Sequence, residues 1–297
     1  MYVPKNKKNL TGLAFVSPWV IGFLVFTLGP CFYTLVVSFM KWDLMTEPEF
    51  VGLQNYINLL DDDLFKQSLL VTFRFAVISV SISLVLSLAI ALLLNVNSRV
   101  MYVYRTIFYI PSVVSGIAVA IVWSWIFSKD YGVLNYFLSL LGLDGPNWLG
   151  SPQYAPWAFV IIMATTFIGG PMIIFVAGLQ NIPAYLYEAA SLDGANGFQK
   201  LVNITLPSLS PIILYNLVTM LIGAFRTFVQ ATTLAGKNGD PGHSLLFMVM
   251  HIYNKAFSSM EFGASAAMSW VFIIIVLAIS LIVMRVALPH VHYENGE

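Results

Sequence analysis

Few side chains in this 297-residue sequence could do chemistry, and most of those stand alone. Asp61, Asp62 and Asp63 make a run of carboxylates, but no partner acid, His or Cys stands at catalytic or ligand spacing beside them, so a surface role is the modest reading. His290 and His292 form a His-x-His pair, too few ligands for a metal centre, and a tail is the plainer reading. Cys31, the single cysteine, forms no internal disulfide. The Leu28-Gly29-Pro30-Cys31 stretch is a poor lipoprotein cleavage box, because Pro before Cys obstructs processing. No Ser/His/Asp arrangement is recognisable, and no Gly-rich loop ends in Gly-Lys-Ser/Thr to cradle phosphates.

One polar segment carries more information. Tyr187-Glu188-Ala189-Ala190-Ser191-Leu192-Asp193-Gly194-Ala195-Asn196-Gly197-Phe198 follows Pro183, a suitable helix-start residue, and its Ala-rich first half favours a short helix through about Leu192. Gly194 then stops it. A second short helix through Gln199, Lys200 and Val202 is expected to end before Pro207, whose preceding residue is pushed out of helical geometry. The product is a helix, a Gly hinge and a second helix. Small Ala side chains with Glu188 at one end suit insertion into another protein's groove; an interfacial helix or a solvated loop is the plain alternative.

The elements that must position these residues follow from composition. The chain is 59% hydrophobic and only 9% charged, against about a quarter charged in soluble domains. Lys+Arg and Asp+Glu are 14 each, and no basic tract is interleaved with aromatics, so nucleic-acid binding is set aside. A bilayer core of about 30 Å takes roughly 20 apolar helical residues. Six stretches qualify, at about 10–40, 69–95 (carrying the one charge Arg74), 106–128, 155–179, 209–228 and 262–284. Period-2 alternation is missing, so the spans are helices and not barrel strands. The first run is too long for a cleaved secretory signal.

This gives an all-α integral membrane protein with six transmembrane helices, a tail at 1–9, a membrane domain at 10–288 and a tail at 289–297. With the amino terminus inside, Lys5, Lys7, Lys8, Arg99, Arg105, Lys200 and Arg285 fall inside, and Lys41, Lys66, Lys129, Lys237 and Lys255 outside. That modest excess places both termini in the cytoplasm.

The polar segment resembles the EAA motif of bacterial ABC importer permeases: Glu-Ala-Ala, then Asp-Gly-Ala, then a run ending in Leu-Pro. Residues 188–211 read EAASLDGANGFQKLVNITLPSLSP, matching at Glu188, Ala189, Ala190, Asp193, Gly194, Ala195, Ile204, Leu206, Pro207 and Pro211. Leu201 departs from the Phe often found there. The resemblance extends over almost the whole chain and narrows to the maltose and glycerol-3-phosphate permease branch. It is carried by Ser17-Pro18, Val51-Gly52-Leu53-Gln54-Asn55-Tyr56, Arg105-Thr106-Ile107-Phe108-Tyr109-Ile110-Pro111, Tyr131-Gly132-Val133-Leu134-Asn135, Asn147-Trp148-Leu149-Gly150 and the stretch 236–253.

The resemblance implies a permease subunit of a binding-protein-dependent carbohydrate importer in the bacterial cytoplasmic membrane, and not an enzyme. A coupling loop at 183–207, between the fourth and fifth spans, would place a cytoplasmic helix with Glu188, Ala189, Ala190, Asp193, Gly194 and Ala195 on a separate ATPase. ATP and Mg would be held by that partner, with no cofactor or metal on this chain. The implied partners are a second, different permease, two ATPase subunits, an extracytoplasmic solute-binding protein and membrane lipid. The family's translocation path points to Thr165 and Gly169, near Thr166, Gly170 and Pro171, and to Phe225 and Arg226. Gly-Gly-Pro loosens a helix, which membrane proteins tolerate beside a cavity; close helix packing is the alternative. A charge at the membrane centre costs about 2.5–3.5 kcal/mol on insertion scales, so Arg226 faces a cavity or protein, or snorkels. Where the branch often has an amide, Arg226 suggests a hydrogen bond to a sugar or pairing with an acidic one. Trp123, Trp125 and Phe225 could stack on sugar rings or anchor at the interface. A permease for a non-sugar solute is the first alternative. A membrane enzyme is the more distant one, because Glu188, Asp193, Glu294 and Glu297 make no catalytic cluster on the inner face.

Overall fold

A computed structural model describes residues 15–291, which fall into two compact units. The tail at 1–9, the start of the first span and His292 lie outside the described residues.

The first unit comprises described residues 15–62 and 252–273. Helix α1 (Phe15–Val37) is almost wholly exposed. It widens to a π turn at Leu24–Leu28, where the Gly29 amide donates to the Leu24 carbonyl just before Pro30. Pro30 has no amide to give, and the extra residue resets the ladder around it. The expected continuation of this span to Met40 does not occur: the chain leaves the helix after Val37 and forms an antiparallel pair, β1 (Met40–Lys41) with β2 (Glu49–Phe50). The 51–56 island then explains itself. Gly52 turns the chain with φ +58°, α2 (Gln54–Asp61) begins, and buried Asn55 donates to the carbonyls of Ser38 and Met40, both at 2.9 Å. Tyr56 Oη and Ser38 Oγ lie 2.6 Å apart. Gly263 is required here, because a Cβ would run into the Met40 carbonyl.

The second unit comprises residues 63–251 and 274–291. It opens with α3 (Asp63–Leu94), whose 32 residues reach about 48 Å, well beyond a hydrocarbon core. Helices α4 (Arg99–Val113) and α5 (Gly116–Ile126) follow, then α6 (Val133–Leu140) and α7 (Ala155–Asn181). After α8 (Ala184–Leu192) come α9 (Gly197–Phe225) and α10 (Val229–Ala235), and last α11 (Met248–Phe257) and α12 (Phe262–Ala287), whose residues are divided between the two units.

Helix α7 is the centre of this unit and packs on α3, α4 and α9. Its Ala164, Ile168, Met172, Phe175, Val176 and Leu179 form one apolar cluster with Ala91 and Leu94 of α3 and Leu209 of α9. Without a hydrophobic drive between helices in lipid, such contacts depend on small residues that let backbones approach. A Cβ on Gly169 would lie 2.7 Å from the Phe108 carbonyl, and one on Gly178 would meet Ile212. Ser68, Thr72, Ser79, Ser83 and Ser87 are all fully buried on α3. Phe75, Phe159 and Phe247 close the other end, with centroids 5.0–5.2 Å apart.

Two further expected spans are corrected. The third, expected unbroken at 106–128, is a pair of helices meeting at 103° across Val114 and Ser115. Pro111 removes one ladder bond, and the backbone turns extended at Val114 (ψ 144°). The fifth, expected at 209–228 after a separate short helix, is one helix from Gly197 to Phe225 that ends three residues early. A π turn at Leu201–Thr205 admits Pro207 without a break, the Leu206 amide reaching back to the Leu201 carbonyl. Among the described residues five helices are thus long and apolar enough to cross a membrane, and the bent pair makes a sixth if it counts as one span.

Candidate functional site

The polar segment forms an elbow whose geometry each residue type explains. Pro183 sits extended (φ −60°, ψ 130°) ahead of α8, and α8 ends in a Schellman motif. The Ala195 amide donates to the Ala190 carbonyl at 2.9 Å and the Gly194 amide to Ser191 at 3.2 Å. Gly194 takes φ +79°, a left-handed conformation that disfavours any residue with a Cβ. Asn196 starts α9 with a reciprocal capping box: its side chain accepts from the Gln199 amide, and the Gln199 side chain accepts from the Asn196 amide.

Two further contacts lock the elbow. Tyr187 Oη and Thr205 Oγ1 lie 2.9 Å apart, and Lys200 Nζ donates to Ser191 Oγ at 2.7 Å. The outer surface is left open. Glu188, Ala189 and Asp193 are exposed, Ala190 and Ala195 half-buried, Leu192 is 90% exposed and Phe198 74%. The elbow thus presents apolar side chains among acids on its open side.

The four proposed path residues differ in setting. Thr165 is half-buried and donates back to the Ile162 carbonyl of its own helix at 2.7 Å. Gly169 is buried against α4, whereas nothing lies within 4 Å of a Cβ placed on Gly170. Phe225 is 2% exposed. Arg226 is exposed and closes α9, its backbone amide donating to the Ile222 and Gly223 carbonyls, each at 3.2 Å. Trp123 stacks on the buried Phe127 at 5.2 Å, and Trp125 is 63% exposed.

Asp62 lines a cavity of about 780 Å³ in the first unit, together with Trp42, Asp43, Glu47, Glu49 and Glu261. Its neighbour Asp63 pairs with Lys66 at 3.5 Å in the open. Asp43 accepts from the Thr46 amide and hydroxyl, both at 2.8 Å, and from the Met45 amide at 2.9 Å; the Thr46 amide foremost holds its carboxyl below the usual value.

Several residues whose importance lies in packing escaped the sequence reading. Arg105, read there as a topological charge and the start of a family-like island, is 8% exposed and holds the end of α3. Asn135 is a clamp: its amide donates to the Lys129 and Pro146 carbonyls and its oxygen accepts from Trp148 Nε1 at 2.7 Å, tying two of the family-like islands into one loop. Asn216 is fully buried on α9 with neither amide atom paired. An amide inside an apolar run was its only signal.

With bundle and elbow in place, the class is defined. Residues 83–288 match the family model described as "binding-protein-dependent transport system inner membrane component", and the chain belongs to that family. It is accordingly a multi-pass inner-membrane permease of the ABC importer type.

The chain is 42% identical over 295 residues to the "probable ABC transporter permease protein YesP" of Bacillus subtilis, covering 98% of this chain and 95% of that protein. It is 32% identical over 282 residues to the "arabinooligosaccharides transport system permease protein AraP" of the same organism, covering 94% and 89%. The fold matches a chain of a bacterial alginate ABC transporter, solved in complex with an alginate pentasaccharide-bound periplasmic protein, with TM-score 0.82, 22% identity and 94% of each chain covered. These relatives are transport permeases, as the sequence reading expected.

Proposed function

We propose that this chain forms one side of the cargo path of an ATP-driven carbohydrate importer, taking an oligosaccharide or sugar derivative from an extracytoplasmic solute-binding protein. The observation that carries the reading is the elbow: a short helix, a left-handed Gly194 and a capped second helix, cross-linked inside and open outside. In this reading both termini and the elbow lie in the cytoplasm, the bent α4–α5 pair counts as one of six spans, and residues 183–207 form the coupling loop. A second, different permease completes the path. Two ATPase subunits bind ATP and Mg and hydrolyse the nucleotide; this chain binds neither.

The elbow transmits force because it cannot flex independently of α9. Glu188, Ala189 and Ala190 seat in a groove of the ATPase, with Asp193, Gly194 and Ala195 setting the exit angle. Tyr187, Lys200 and the unbroken helix from Gly197 to Phe225 carry the displacement about 40 Å along α9 by rigid-body motion. At the far end α9 stops at Phe225 and Arg226, so movement of the elbow repositions the exposed Arg226 proposed to meet the cargo, with Thr165 on the neighbouring α7, while buried Phe225 and Gly169 hold the helices behind them. Support for a carbohydrate comes from the arabinooligosaccharide and alginate systems to which the chain is similar.

The test is sugar-stimulated ATP hydrolysis by the complex of this chain with its second permease, ATPase and binding protein in liposomes. Glu188→Arg should abolish stimulation while membrane insertion stays normal, and Arg226→Gln should change the preference between neutral and acidic sugars. ATPase activity that ignores every sugar and survives Glu188→Arg would overturn the reading.

A further inference from the structure

The charge-free stretch of α3 is bracketed by two arginines of opposite fate. Arg105 binds the carbonyl of its last residue, Leu94. Back from Leu94 to Arg74 runs the charge-free stretch 75–94, about 20 residues or roughly 30 Å of helix, which is the thickness of a hydrocarbon core. A core filled by residues 75–94 puts Arg74 at its opposite edge, at the depth of lipid phosphates.

Arg74 is exposed, and among the described residues it has no hydrogen-bond or ion-pair partner. It lines a groove of about 420 Å³ between α3, the start of α7 and the loop at 242–247. Gln67 adds an amide to this groove and Trp157 an indole, while Ile78 and Val160 give it an apolar wall. Ser244 lines it too, and its Oγ is buried with no hydrogen-bond partner. The surrounding surface is apolar: Leu70, Phe73 and Val77 on α3 and Ile161 on α7 are each 44–47% exposed.

A guanidinium at this depth needs an anion, and the groove contains no carboxylate to provide one. The anion abundant at that level of a membrane is the phosphodiester, which a guanidinium binds through two parallel N–H···O bonds. Trp157 lines the same groove, and Trp belongs to the same interfacial layer. We propose that this groove binds one anionic phospholipid, its phosphate on Arg74 and an acyl chain along Ile78 and Val160. The absence of an acidic lining residue favours a net-negative headgroup over one carrying its own ammonium. The site is independent of the identity of the cargo.

Native mass spectrometry of the purified full chain, stripped of lipid and titrated with phosphatidylglycerol or phosphatidylcholine, tests this. Wild type should retain one phosphatidylglycerol about tenfold more strongly than phosphatidylcholine, and Arg74→Gln should lose that preference, while Arg74→Lys keeps part of it. Ile78→Trp leaves the charge in place and fills the groove, so it too should abolish retention. Equal retention of the two lipids by wild type, or undiminished retention in both Arg74→Gln and Ile78→Trp, would overturn the proposal. So would displacement of the lipid by the second permease with cross-linking at position 157, which would make the groove a subunit contact.

Discussion

The Arg105 guanidinium closes the carbonyl end of α3 by binding Leu94: Nη2 lies 2.7 Å and Nε 3.2 Å from the same carbonyl oxygen, with a longer contact to Val96 at 3.4 Å and the Tyr102 ring 5.0 Å away. The last carbonyls of any helix lack partners along the chain, and a cation there also opposes the negative end of the helix dipole. Arg105 meets both needs from a buried position, so its loss strands polar groups out of water. Arg105→Met should destabilise the chain by about 1–3 kcal/mol, and Arg105→Lys by less, because one ammonium replaces only part of the fork. Thermal unfolding of the detergent-solubilised protein measures this; an unchanged midpoint for Arg105→Met would remove the cap from the account.

Gly194 makes a sharper prediction because conformation and function separate there. Its φ of +79° costs a residue with a Cβ about 1–2 kcal/mol, whereas Asn tolerates the left-handed region best among the others. Gly194→Asn should therefore keep most coupling to the ATPase, and Gly194→Val should lose it with the membrane helices intact. Sugar-stimulated ATP hydrolysis, read beside helical circular dichroism, distinguishes the two. Equal coupling in both variants would show that the turn does not set the elbow's angle.

The elbow was legible in the sequence because its signals are local: a Pro start, Ala composition and a Gly stop lie within a dozen residues. The apolar runs were legible because hydropathy is additive along the chain. What escaped was non-local. Pro207 was expected to end a helix, but the π turn upstream absorbs it, and nothing in the residues 201–205 announces an i→i−5 bond. The break at Val114 and Ser115 lies inside an apolar run where hydropathy sees only continuity. Asn135 and Arg105 owe their roles to partners reached by tertiary folding, Trp148 thirteen residues away and Leu94 eleven residues away. The sequence reading had both in family-like islands, and Arg105 also as a topological charge, with no partner for either.

Adjacent glycines on α7 offer a controlled comparison. A Cβ on Gly169 would stand 2.7 Å from the Phe108 carbonyl and 3.0 Å from Ser112 Oγ, while on Gly170 it would meet nothing within 4 Å. Gly169→Ala should cost about 1–3 kcal/mol through overpacking against α4. Gly170→Ala should be neutral or slightly stabilising, since Ala is the better helix former by about 1 kcal/mol. Thermal midpoints of the two single variants test the contrast. Transport assays add a second reading: a loss of uptake in Gly170→Ala at full stability would place the cargo path on that side of the helix.

Asp43 supplies the pH prediction. Its carboxylate, outside the spans, accepts from Thr46 twice and from Met45 once, and these bonds lower its pKa from 3.8 in the folded chain. Because the folded value is the lower one, the bonds contribute fully above the unfolded pKa and are lost as pH falls through the folded value. The turn should hold from neutral pH down to about pH 4 and loosen only below it. Protection of the Met45 and Thr46 amides, corrected for the intrinsic pH dependence of exchange, should follow that course. Asp43→Asn should lower protection already at neutral pH, because a neutral amide oxygen accepts more weakly than a carboxylate. Protection that is indifferent both to acid and to Asp43→Asn would show that the turn is held by the β1–β2 pairing alone.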